Sequence, residues 1–143
     1  MMNNTFYNEI LTDHNLHPAH KKKLEGANLV LEGVNPSCGD DIILELKEEN
    51  GVITDGEFVG SGCAISQASV DMMLELGIGK TKEEALKLAD LFSRMIKGEA
   101  TGEELEPLEE AMSLADISKM PARVKCAVLG WHTMEELLEK QNK

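Results

Sequence analysis

The segment DDIILELKEENGVITDGEFVGSGC, residues 40–63, alternates, turns, and alternates again. Ile42, Leu44 and Leu46 fall on one face of a strand over Asp41 to Lys47. Asn50-Gly51 then gives the strongest short hairpin signal, because a type I′ turn needs positive φ at both central residues. A second strand of the hairpin runs from Val52 towards Val59, with Asp55-Gly56 offering a place for a bulge. A two-residue turn sets Cys38 across from Cys63, and Asp40 across from Ser61. A bulge at Asp55-Gly56 would move this pairing by one, so the expectation is adjacency at one end of the sheet. The hairpin thus brings two distant thiols together, with a carboxylate beside them.

Working outward, residues 5–16 read as a helix with Phe6, Tyr7, Ile10, Leu11 and His14 on one stripe, ended by Pro18. The basic piece HKKKLEGA, residues 20–27, leads into a strand over Leu29 to Val34. Downstream of the hairpin everything is helical. Ile65, Ala68, Met72 and Leu76 form a stripe that stops at Gly77. Thr81 and Glu84 fit a capping box that opens a helix with Ala85, Leu88, Ala89, Phe92 and Ile96 inward, closed by Gly98. A further helix is expected over Glu106 to Ala115. Pro121 suits the first turn of a last helix carrying Val124, Val128, Trp131 and Leu138. Strands followed by helices, with no βαβ alternation, predict an α+β fold: about three antiparallel strands packed against about five helices. The expectation is one domain across residues 1–143, and Met72, Met73 and Met112 are read as packing residues.

With 14 basic against 26 acidic residues, the net charge is −12. Such a chain repels phosphate backbones and anionic membranes, so nucleic acid and membrane partners are not expected. The N-terminus MMNNTFYNEI has no basic region followed by an apolar run, and no apolar stretch nears the ~18 residues that span a bilayer. The expected compartment is the cytoplasm, where thiols stay reduced. There are three cysteines, an odd number, which argues against a closed disulfide framework.

The chemistry therefore turns on Cys38 in NPSCGD, Cys63 in GSGCAIS and Cys126 in MPARVKCAVLGW. Cys63 precedes a helix, where unpaired N–H groups and the dipole favour an anion. Cys126 lies in the first turns of the last helix, near Arg123 and Lys125, which also favour a thiolate. Three sulfurs with the Asp40 carboxylate suit a closed tetrahedral zinc site. The spacing is not the familiar CxxC pair. A buried inert cysteine, and an Asx turn at Asp40, stay open as readings.

Two other motifs carry little. GIGKT, residues 77–81, lacks the earlier glycine of a phosphate loop, since Leu74 stands there, and Thr81 is better read as a helix cap. His14, His17 and His20 cannot share a helical face across Pro18 and are read as surface or helix-end residues. No Ser or Cys has a recognisable His–acid set, which argues against a self-contained hydrolase.

NPSCGD, GSGCAIS and RVKCAVLGW, with YNEILTDH and Pro18 near the start, resemble the SufU/IscU-type iron–sulfur cluster assembly proteins over nearly the whole chain. The resemblance implies a small antiparallel sheet covered by helices, and a metal site of Cys38, Asp40, Cys63 and Cys126. Lys125 stands where the scaffold branch has a His. MPARVK replaces that branch's proline-rich chaperone-docking motif, and TKEEALKLADLFSRMIKGEATGEELEPLEE is an added region. All three features are more similar to SufU, the zinc-dependent sulfur acceptor. The implied partners are a pyridoxal-phosphate cysteine desulfurase of the SufS type and downstream iron–sulfur assembly proteins. The implied chemistry is persulfide transfer to Cys38, with Arg123 and Lys125 supporting. A scaffold that assembles and passes on a transient [2Fe–2S] cluster is the alternative, with iron or the cluster in place of zinc.

Overall fold

The computed structural model describes residues 9–36, 39–100 and 102–141. Three strands, β1 (Leu29–Asn35), β2 (Asp40–Glu49) and β3 (Val52–Ser61), form one antiparallel sheet in the order β1-β2-β3. Around it lie α1 (Glu9–Leu16), α2 (Ala64–Gly77), α3 (Lys82–Ile96), a 3-10 segment (Gly102–Lys119) and α4 (Pro121–Gln141). The expected α+β arrangement is therefore present. The part of the first helix expected before Glu9 lies outside the described residues.

The hairpin turn is as its sequence demands: Asn50 and Gly51 both take positive φ, 55° and 84°, between the paired residues Glu49 and Val52. The bulge, however, comes earlier than expected. Glu48 pairs with Ile53 but Lys47 pairs with Asp55, so Thr54 is the extra residue. Its hydroxyl donates to the Lys47 carbonyl at 3.2 Å. The extra residue reverses the alternation of β3, which lets Ile53 before it and Phe58 after it both face the core, alongside Ile42, Leu44 and Leu46. It also moves the pairing by one, so Ser61 faces Asp41 rather than Asp40.

The opposite face of the sheet carries Glu45 and Glu57, directly paired and both buried. The basic run before β1 covers them. Lys23 Nζ lies 3.5 Å from Glu45, Lys22 Nζ lies 3.8 Å from Glu57, and the Leu24 N–H donates to Glu45 at 2.8 Å. Burial still pushes the Glu57 carboxyl above its ordinary value, with His20 and Lys22 opposing.

On the helical side, α2 is the central element, buried along most of its length. Thr81 caps α3 with the full capping box, as expected. The ring of Phe92 stacks on that of Trp131 with centroids 4.3 Å apart, joining α3 to α4. The Ser69 hydroxyl donates to the Ala127 carbonyl at 2.6 Å and accepts from the Trp131 indole at 3.0 Å, which fixes α4 against α2.

The helix expected over Glu106 to Ala115 is a longer 3-10 segment, kinked at Glu109, whose φ is 49°. Pro107 inside it has no N–H for an α-helical ladder. Leu105, Leu108, Ala111, Leu114 and Ile117 are all buried, one in every three residues, which is the repeat of a 3-10 helix. Met112 falls off that repeat and is exposed, so it is not a packing residue. Met72 and Met73 are buried as expected.

His14 corrects a second reading. It is a helix-end residue, but it is buried, with Nδ1 2.6 Å from Asp71 of α2 and Nε2 2.6 Å from Glu110 of the 3-10 segment. Both ring nitrogens face carboxylates, an arrangement that favours the doubly protonated ring. Burial is the largest influence and disfavours that charge, but the hydrogen bonds and charges of Glu110 and Asp71 together raise its pKa. A raised pKa means a contribution fully present below the unfolded value of 6.5 and lost as pH rises through the folded value. His14→Gln should therefore lower unfolding stability by roughly 1–3 kcal/mol in urea titrations at about pH 5.5, and by clearly less at about pH 9. Equal losses at both pH values would contradict this account of the ion pair.

Candidate metal centre

The sheet and α2 meet at one corner. β1 ends at Asn35 and β2 begins at Asp40, and these two residues pair. β3 ends at Ser61, and Cys63 is the N-cap of α2, its sulfur accepting the Ser66 N–H at 3.4 Å. The third contributor is α4, whose Cys126 is fully buried. One ligand atom from each of Asp40, Cys63 and Cys126 lies within 4.8 Å of the other two. Three of the four expected ligands are thus brought together from three elements far apart in sequence. The fourth, Cys38, lies outside the described residues.

Asp40 is fully buried and surrounded by donors. Its Oδ1 accepts the Cys63 N–H at 2.8 Å and the Ser66 hydroxyl at 3.1 Å. Its Oδ2 accepts the Asn35 amide at 3.2 Å. Burial alone would raise the Asp40 carboxyl. The Cys63 N–H, the Cys126 thiol, the Ser66 hydroxyl and the Asn35 amide together outweigh burial and hold it below the usual carboxylate range. The Asx-turn reading of Asp40 gives way to this: the residue starts β2 and its side chain points into a polar pocket.

Gly62 makes the approach feasible. A side chain there would meet Asp40 Oδ1 at 2.5 Å and the Ser66 hydroxyl at 2.8 Å. The chain passes so close to the carboxylate that only hydrogen fits. Arg123 is half-buried and Lys125 exposed, three residues and one residue before Cys126 on α4. Lys125 lines an open groove of about 480 Å³ between β1 and α4, together with Asn35, Val34 and His132.

The donor set suits zinc. Two thiols and a carboxylate converge on one point, the carboxylate is ionised by its surroundings, and one thiol already accepts a backbone N–H. Asn35 and Ser66 were not singled out in the sequence reading. Ser66, one helical turn after Cys63, was findable as the position where a cap partner sits; Asn35 looked only like a turn former before Pro36.

Comparison with known proteins places the chain. The family model described as the NifU-like N terminal domain matches residues 6–140. The chain is 42% identical over 137 residues to an iron–sulfur cluster assembly scaffold protein IscU of Streptococcus pyogenes, covering 96% of this chain and 85% of that one. It is 36% identical over 137 residues to the zinc-dependent sulfurtransferase SufU of Bacillus subtilis, covering 96% and 92%. In structure it matches FiSufU of Fervidobacterium islandicum AW-1, described as a candidate scaffold for the SUF system. The TM-score is 0.87 at 38% identity, over 93% of this chain and 96% of that one. No helix among the described residues is long and apolar enough to cross a membrane. The chain belongs to the family of the NifU-like N-terminal domain, the family of the IscU and SufU proteins.

Proposed function

We propose that this protein is a single-domain, zinc-dependent sulfur acceptor in iron–sulfur cluster assembly, taking persulfide sulfur from a cysteine desulfurase of the SufS type. The observation that carries this reading is the convergence of Asp40, Cys63 and Cys126 on one point beside the paired residues Asn35 and Asp40. Similarity to a named zinc-dependent sulfurtransferase supports the same reading. Its Lys125, where scaffolds carry a His, favours the SufU side.

Zinc held by Cys38, Asp40, Cys63 and Cys126 would keep the thiols deprotonated at neutral pH. The chain's own residues do the rest. Ser66 and the Cys63 N–H hold Asp40 in place, so the metal-binding pocket survives when Cys38 is engaged elsewhere. The Cys38 thiolate attacks the terminal sulfur of the donor persulfide. A new S–S bond forms on Cys38, the donor's S–S bond breaks, and the donor cysteine departs as a thiolate. Cys126 is fully buried, and the half-buried Cys63 has its sulfur engaged by the Ser66 N–H, which favours Cys38 as the acceptor. Arg123 and Lys125 partly offset the four formal negative charges of the ligands. The setting in this reading is cytoplasmic, and the net charge of −12 disfavours a nucleic acid partner.

Cys38→Ala should keep the fold and lose nearly all sulfur uptake. Incubation with desulfurase and cysteine, followed by intact-mass measurement, should show one added sulfur on the parent and none on the variant. Uptake by the variant at an undiminished rate would assign Cys38 the wrong role, and no added sulfur on the parent would leave the zinc purely structural.

The relatives named as scaffolds favour a second reading, in which the same four residues carry a nascent [2Fe–2S] cluster as cargo for delivery to apo-proteins. Anaerobic reconstitution with iron and sulfide separates the two. Sulfur relay predicts colourless protein that retains zinc, whereas a stable visible charge-transfer spectrum would establish the scaffold.

A further inference from the structure

Asn35 ends β1 with its side chain nine-tenths buried, and its one amide nitrogen reaches two prospective ligands. Nδ2 lies 3.2 Å from Asp40 Oδ2 and 3.7 Å from Cys126 Sγ. The NH₂ group has two hydrogens, one for each. Turned the other way, the amide oxygen would face a carboxylate and a thiolate, two acceptors with nothing to share. The observed orientation is the one that electrostatics requires.

The two carboxylate oxygens of Asp40 are not equivalent. Oδ1 accepts the Cys63 N–H, and the single Ser66 hydroxyl hydrogen lies within reach of both Oδ1 and the Cys63 carbonyl. Oδ2 accepts from Asn35, and the Cys126 thiol is a further donor to the same carboxylate. We propose that Asn35 is a positioning residue for the metal centre: its amide group, reaching both the Asp40 carboxylate and the Cys126 sulfur, would hold the two ligands toward one common point. Because the site collects anions in a buried place, an uncharged donor bridging two of them lowers their mutual repulsion without adding a competing ligand. Ser66 does the corresponding work on the other oxygen, so the pocket is built from the two sides of the carboxylate.

This inference rests on the metal-binding part of the proposed function and not on sulfur transfer, so its test is made on metal binding alone. Asn35→Leu keeps the shape of the side chain without its donor, and Asn35→Ala removes both. Zinc affinity is read by competition with a chromophoric chelator, and geometry by the visible spectrum of the cobalt(II) form. Both variants should bind zinc roughly tenfold or more weakly than the parent. Their cobalt spectra should lose intensity as Asp40 and Cys126 lose their common donor and the site departs from a tetrahedron. Binding within about twofold of the parent, with superimposable cobalt spectra, would overturn the proposal. Should neither variant fold, a crystal structure of the zinc-loaded parent decides: Asn35 must touch both Asp40 and Cys126, and an amide turned away from them ends the proposal. A parent that binds no zinc would instead remove the metal centre itself.

Discussion

A carboxylate buried without solvent must be surrounded by donors, and Asp40 collects its donors from every element at its corner of the molecule. Asn35 comes from the end of β1, the Cys63 N–H from the junction of β3 and α2, Ser66 from α2 and the thiol of Cys126 from α4. None of these groups is near the others in the chain except Cys63 and Ser66. The carboxylate is therefore the point at which sheet, central helix and last helix are registered against one another. The donors that satisfy it surround the same corner where Asp40, Cys63 and Cys126 could hold a cation. Stability and site are one construction at this corner, and Gly62 is the residue whose missing side chain lets the construction close.

The α2 helix links that corner to a second polar centre. Near its start are Cys63 and Ser66; one turn on, Ser69 fixes α4 through Ala127 and Trp131; further on, Asp71 holds His14 and the His20 N–H. His14 in turn reaches Glu110, which ties the added region between Cys63 and Cys126 back onto the first helix. The strained backbone at Glu109 sits directly beside this ion pair. The kink is where a segment with a three-residue apolar repeat is redirected so that its acidic residue meets the buried histidine.

Much of this was written in the sequence in local form. Asn50-Gly51 dictated the turn and so the hairpin, Thr81 and Glu84 dictated a helix start, and the motifs of Cys63 and Cys126, with Asp40, marked the corner where ligands would meet. What escaped were features that depend on partners distant in sequence. The bulge fell at Thr54 rather than Asp55-Gly56 because Thr can cap the Lys47 carbonyl with its hydroxyl, a contact that exists only across the strands. The 3-10 segment was hidden by a reading that sought a period near 3.6, although Leu105, Leu108, Ala111, Leu114 and Ile117 spell a period of three in plain order. His14 looked like a surface or helix-end residue, since the carboxylates that engage it lie on other elements.

The corner thus offers three preorganised ligands, Asp40, Cys63 and Cys126, and Cys38 falls in the sequence between the paired residues Asn35 and Asp40. The proposed sulfur relay needs such a set to retain the metal while Cys38 takes the sulfur. The most direct test is X-ray absorption at the zinc edge on the parent protein loaded with one equivalent of the metal. The account predicts a first shell of three sulfurs and one light atom at tetrahedral distances, as Cys38, Asp40, Cys63 and Cys126 require. A shell dominated by nitrogen and oxygen, or one with fewer than two sulfurs, would contradict it.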